Sequence, residues 1–287
     1  VKGERLMVMS DLEVDRARNQ ATVDRVLSYS ELERRAKSQG VKDPGTIDVI
    51  HLVLQDAGLK DILVPPTFPF LHASRLQELG YRLRTKREPF YEQRVMKSDD
   101  EVRHIEAAQR ATETAVAAAH QTLRRAEIRD NVLWLDGEIL TSERVKKLIN
   151  VALMECDCVA QHTIVAGGEQ ACDPHDEGSG PLPAHRSIIF DVFPRSAGTR
   201  YFADRSRTVV RGTPSPELTR LYHAVKDAQE EAITKIRDGA DGAAIHQGIC
   251  DRFEKAGYKT GLVNGRMQGY FHGTGHGVGL DIHEAPR

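Results

Sequence analysis

The residues able to do chemistry gather in three stretches. In SIIFDVFPRSAGTRYFADRSRTVV, Ser187 to Val210, two strand-like runs flank Ser196-Ala197-Gly198-Thr199, where Gly198 supplies turn flexibility. A hairpin centred between Ala197 and Gly198 sets Asp191 directly opposite Asp204, with Cβ atoms about 4.5 to 5.5 Å apart. Like charges at facing positions are destabilising. A cation between them reverses that sign, and carboxylate oxygens suit hard or borderline divalent metals. Asp191 follows the apolar run Ser187-Ile188-Ile189-Phe190, expected of a buried strand, where an unpaired carboxylate is costly. Metal ligation is therefore favoured over two solvated strand residues, with Pro194 the place where a bulge would alter the register.

The second stretch is FHGTGHGVGLDIHEAPR, Phe271 to Arg287. If it is extended, His272, Thr274 and His276 share one face, because side chains alternate with period two. Gly273, Gly275, Gly277 and Gly279 allow another chain or a substrate to approach the backbone closely. His283 has the opposite parity and needs a bulge to reach the same place. Neutral imidazole is a common metal ligand and a proton carrier near neutral pH. Asp, Asp and His together make an incomplete ligand set. The third stretch, VAGGEQACDPHDEGSGPL from Val165 to Leu182, is a Gly- and Pro-rich loop carrying His175 between acidic residues. Alone, His175 reads as a solvated loop residue. His51, His72, His104, His120, His162, His185, His223 and His246 fall on expected helices or beside strands and are assigned no chemistry. The cysteines Cys156, Cys158, Cys172 and Cys250 read as reduced thiols, since the Cys156-Asp157-Cys158 spacing has no second pair to complete a metal site.

Around these stretches the chain falls into two parts. Residues 1–96 alternate short apolar strands (Arg5 to Met9, Asp61 to Val64, Tyr81 to Thr85) with helices (Asp11 to Arg18 capped by Asp11, Thr46 to Ala57, Pro69 to Leu79), the rhythm of a small α/β domain. Residues 97–287 open on the capping box Ser98-Asp99-Asp100-Glu101 and a long Ala-rich helix to about Ala126. Further helices are expected at Ser142 to Glu155, from Ser215-Pro216 to near Gly239, and at Asp241 to Ala256. Strands are expected at Thr163 to Ala166, Ser187 to Phe193 and Tyr201 to Arg211. Helices and strands in blocks make this region α+β.

Composition sets limits. The 287 residues carry 40 Lys+Arg against 42 Asp+Glu, a net charge of −2, so no basic field exists for a nucleic-acid backbone or an anionic membrane. No apolar run approaches the roughly 18 to 20 residues of a membrane-spanning helix, and the start has no signal-peptide core. The sequence begins with Val, which leaves room for residues upstream, and a cytoplasmic location is the default expectation.

At the residues quoted, the chain resembles the pita-bread metallopeptidases, in the branch of aminopeptidase P, prolidase and creatinase. The resemblance lies in PHDEGSGPL around His175, IIFDVFPR around Asp191, ADRSRTVVRG around Asp204, GTGHGVGL around His276 and IHEAPR around His283, in family order over about residues 98–287. It implies a curved antiparallel sheet flanked by helix pairs, preceded by a creatinase-like N-terminal α/β domain. It also implies that Asp191 bridges or chelates one of two divalent metals, that Asp204 bridges both, and that His276 ligates the second. His175 and His283 would bind substrate and stabilise the tetrahedral intermediate, and His272 would line the proline-side pocket. The implied reaction is hydrolysis of an Xaa-Pro bond in a dipeptide or short peptide through a hydroxide bridging metals roughly 3.5 to 4 Å apart. The expected metals are Mn²⁺ or Co²⁺ ahead of Zn²⁺ or Fe²⁺, and the expected assembly is a homodimer.

The sequence departs from the family pattern in two ways. The segment between the aspartates is slightly long, by an even number that preserves their facing. The family's two glutamate ligands, one of them also the general base, lie beyond Arg287, and Glu284 is at neither position. Both ends of the family architecture are thus expected to be incomplete here. Two rival readings follow: a metal-free creatinase-type hydrolase, which leaves the aspartate pair unexplained, and an inactive pita-bread binding module.

Overall fold

Four-residue apolar runs can only be short strands, and in the first part of the chain they pair in parallel across a helix. The computed structural model describes residues 3–286 and divides after Phe90 into two compact units. In the first unit β1 (Leu6–Met9), α1 (Val14–Gln20) and β2 (Arg25–Ser28) form one parallel pair with its crossover. Then come α2 (Tyr29–Ser38), α3 (Thr46–Asp56), β3 (Asp61–Val64), α4 (Phe70–Glu78) and β4 (Arg82–Thr85), with β3 parallel to β4. Leu32, Ala36, Val49 and Leu52 form one core, and Leu54, Leu76 and Tyr81 another. Asp11 is not the cap of α1, which starts later. Its carboxylate instead accepts a hydrogen bond from the Ser28 hydroxyl, and Ser28 caps α2 by accepting from the Glu31 N–H. The sequence reading lacks β2 and α2, the latter a highly charged helix that buries only Leu32 and Ala36.

The second unit begins at its capping box: Ser98 Oγ accepts from the Glu101 N–H, and the Glu101 carboxylate accepts from the Ser98 N–H. This satisfies two of the N–H groups that a helix start leaves unpaired. The helix α5 (Asp99–Arg125) that follows buries Ala108, Ala111, Ala115, Val116, Ala119 and Leu123 at helical spacing. Next are the meander β5 (Glu127–Arg129), β6 (Val132–Leu135) and β7 (Glu138–Ile139), then α6 (Ser142–Met154) and β8 (Cys158–Val159). The strands β9 (Ile164–Gly167) and β10 (Ser187–Val192) lead through β11 (Arg195–Ser196) to β12 (Arg205–Val210). The central sheet runs β12-β10-β9, antiparallel throughout, while β11 pairs with β8. Ile188, Phe190 and Val192 of β10 enter one core with α5 and with Val145, Ile149 and Leu153 of α6.

The unit continues with α7 (Pro216–Lys235) and α8 (Gly242–Lys255), which pack Ala228 and Ala232 on Ile249 and Phe253. It adds a small hairpin, β13 (Gly261–Val263) and β14 (Arg266–Gln268), around Asn264-Gly265. Both turn residues have positive φ, as that two-residue turn requires. Among the described residues no helix is long and apolar enough to cross a membrane.

Candidate metal centre

The central strand β10 alternates: Ile188, Phe190 and Val192 are buried, while Ser187, Ile189 and Asp191 are only partly so. Asp191 therefore lies on the half-open face of the sheet, away from α5 and α6, and the adjoining apolar run does not bury it as the sequence suggested. Its facing residue is also different. Asp191 pairs across the ladder with Ser206, not Asp204, and accepts a hydrogen bond from the Ser206 hydroxyl. Asp204 stands two residues earlier, just before β12, so the facing pair is displaced by one side-chain repeat and the common face is kept.

The displacement originates at the hairpin tip. The turn occupies Ala197 to Arg200, with Arg200 at φ +70° and the Thr199 N–H donating to Ser196 Oγ. Pro194 breaks the strand without inserting a residue, since the Ala203 N–H donates to its carbonyl in unaltered register.

Asp204 is the electrostatic focus. Burial first, and then the like charge of Asp191, push its carboxyl up to about 6 against the opposing influence of His276. His276 Nε2 lies 3.4 Å from Asp204 Oδ2, and its ring stands edge-on to that of His283, centroids 4.3 Å apart. His283 does not arrive by a bulge. The segment after His276 turns back on itself, and Gly277 bridges Glu284 through reciprocal backbone hydrogen bonds of 3.0 and 2.9 Å. The residues just before the two bridge partners are thereby brought side by side.

Glu284 folds into this turn. Its carboxylate accepts the Asp281 N–H at 3.0 Å and pairs with Arg94 and with Lys97 Nζ. A Cβ on Gly279 would come within 2.6 Å of that carboxylate, so a larger residue there would push the Glu284 side chain out of its contacts. Burial alone would raise the Glu284 carboxyl, but Arg94, the Asp281 N–H and Lys97 together outweigh it and hold the group down at about 2.

The remaining candidates sit differently. His175 is exposed on the loop after β9, its backbone N–H on the Asp173 carboxylate. Gly178 anchors that loop, because a Cβ there would lie 1.8 Å from the Val165 carbonyl. His272 packs its ring against Tyr270 at 4.7 Å, and Thr274 meets both the Tyr270 hydroxyl and His246 Nδ1. The stretch from His272 to His276 is not a regular strand, so the expected shared face does not form; His276 alone of the three reaches Asp204. Neither His175 nor His272 takes part in the contacts that join Asp191, Asp204, His276 and His283. Ser206, Glu284, Arg94 and Lys97 escaped the sequence reading. Only Glu284 had a signal there, as the acidic neighbour of a candidate histidine.

Among the described residues no three His, Cys, Asp or Glu side chains converge into a closed metal set. The donors that do approach one another nonetheless fit a divalent cation. The Asp191 and Asp204 carboxylates repel one another, a cation would relieve that repulsion, and an imidazole nitrogen lies beside Asp204.

Comparison with known proteins gives a consistent picture. The model of metallopeptidase family M24 matches residues 103–287. The chain is 30% identical over 167 residues to an uncharacterized peptidase of Staphylococcus epidermidis, covering 58% of this chain and 44% of that protein. It is 26% identical over 197 residues to the Xaa-Pro dipeptidase of Lactobacillus helveticus, covering 67% and 47%. The chain thus spans less than half the length of these relatives. The crystal structure of the prolidase from Pyrococcus horikoshii superposes with a TM-score of 0.76 at 21% identity, over 99% of this chain and 72% of that one. That likeness shows the fold, and the α+β pita-bread expectation agrees with it.

Proposed function

The chain belongs to metallopeptidase family M24, and from that premise we propose that it carries out metal-dependent hydrolysis of Xaa-Pro bonds, as a dipeptidase or an aminopeptidase. The observation that carries this reading is the His276 imidazole beside Asp204, whose carboxyl feels the like charge of Asp191, with His283 stacked edge-on to His276. That the Lactobacillus helveticus relative is an Xaa-Pro dipeptidase supports the bond specificity. Asp191, Asp204 and His276 would hold divalent metal, Mn²⁺ or Co²⁺ by the family resemblance, with the oxygen-rich donors fitting Mn²⁺ and Zn²⁺ or Fe²⁺ as alternatives. When bound, such ions polarise a carbonyl and lower the pKa of water.

The chain's own residues do the rest. Ser206 donates to Asp191 and fixes which carboxylate oxygen faces the site. His283, ring to ring with His276, would donate a hydrogen bond to the carbonyl oxygen of a substrate as negative charge develops there. His175, on its exposed loop, would meet the substrate from the other side, and His272 on Tyr270 would line the proline pocket. A proline-containing dipeptide or short peptide is the proposed substrate and a homodimer the proposed assembly.

The test is a Mn²⁺ titration followed by electron paramagnetic resonance on the wild type, Asp204→Asn and His276→Ala. Loss of a ligand is expected to weaken binding by at least about 10-fold. Equal uptake by all three proteins would sink the assignment.

A further inference from the structure

Glu284 has an unusual setting for a residue on an irregular segment. Its side chain is 6% exposed, whereas that of Asp281 in the same turn is 68% exposed. Its carboxylate accepts from three donors: Lys97 Nζ at 3.0 Å, the Arg94 guanidinium, and the Asp281 N–H. These contacts tie it to the turn around it and to the segment before α5, which directs attention to what it holds.

It holds the turn whose two ends carry the histidines. His276 and His283 immediately precede the bridge partners Gly277 and Glu284, and Arg94 also grips Asp281 at 2.7 Å within the turn. The same cluster reaches the other half of the site. The Phe202 N–H donates to the Gly279 carbonyl at 2.8 Å, and the Tyr201 hydroxyl donates to Glu101 at 2.7 Å. Lys97 also lies close enough to Glu101 to stabilise its charge. Tyr201 and Phe202 belong to the segment that delivers Asp204. A surface ion pair contributes little to any geometry. A buried carboxylate held by two cations resists disruption far more strongly, because removing one partner leaves buried charge less well compensated.

We propose that Arg94, Lys97 and Glu284 are positioning residues, a clamp that fixes His276 and His283 relative to Asp204. Its consequence for metal binding rests on the proposed metal centre; its consequence for the imidazoles does not. The experiment therefore has two readouts. The first is the ¹⁵N resonances of His276 and His283 in metal-free protein, assigned with His276→Asn and His283→Asn. The second is Co²⁺ affinity. Glu284→Gln and Lys97→Met are expected to shift both imidazole signals and to weaken Co²⁺ binding by about 10- to 100-fold, with Lys97→Arg restoring both. A merely structural pair would lower thermal stability and leave the imidazole signals in place. Unchanged signals together with unchanged affinity in folded variants would overturn the proposal. If Glu284→Gln fails to fold, Lys97→Met and Arg94→Met, on side chains 15% and 35% exposed, carry the same test. Wild-type protein that binds no Co²⁺ would refute the metal centre alone, and the imidazole signals would still decide the clamp.

Discussion

At the scale of single residues, the site is a problem of charge placed where water is scarce. Asp204 bears the strain of it, raised to about 6 by burial and by Asp191, and the metal reading is the resolution of that conflict. Glu284 is the opposite case, a carboxylate stabilised as an anion at about 2 against an ordinary 4.5. A folded value below the unfolded one gives stability that is present above pH 4.5 and is lost as pH falls toward the folded value. The full difference amounts to about 3 kcal/mol. Urea unfolding midpoints measured across this window are expected to fall more steeply for the wild type than for Glu284→Gln, and parallel curves would argue against a stabilised anion. Asp191, Asp204 and His276 stood out in the sequence as candidates because each sits in a short local pattern, whereas His283, of opposite parity, joined them only through the family resemblance. Arg94 and Lys97 were not, because they meet Glu284 across 190 and 187 positions of chain and only the fold joins them.

At the scale of elements, local signals decided what was readable. The Ser98–Glu101 box with its Ala-rich helix, and the strand Asp61–Val64, stand where composition and spacing put them. The hairpin register was read one repeat off, because Arg200 takes the left-handed conformation and moves the tip beyond Gly198. The β5–β7 meander and the β13–β14 hairpin escaped because strands of two to four residues carry little periodicity. What places Asp191 is the opposite face of its own strand, where Phe190 is fully buried against His120, ring centroids 5.5 Å apart. Phe190→Ala is expected to cost about 3 to 5 kcal/mol in chemical unfolding. It is also expected to weaken metal binding, since the strand loses its seat on α5. A loss below about 1 kcal/mol would mean that this face tolerates a cavity and does not set the position of Asp191.

At the scale of the whole molecule, a small α/β unit precedes an α+β unit with the fold of known prolidases, and membership of family M24 supplies the chemical context for the neighbouring Asp204, His276 and His283 side chains. The near balance of charge and the half-open sheet face suit a small peptide better than a polyanion. The most direct measurement is proline release from an Xaa-Pro dipeptide by the protein as its cells make it, before and after exhaustive chelation and again with Mn²⁺ restored, beside the Asp204→Asn variant. The expected result is release that chelation abolishes, that Mn²⁺ restores, and that the variant lacks. Release that survives both chelation and Asp204→Asn, or metal-loaded wild type that leaves the bond intact, would contradict the account.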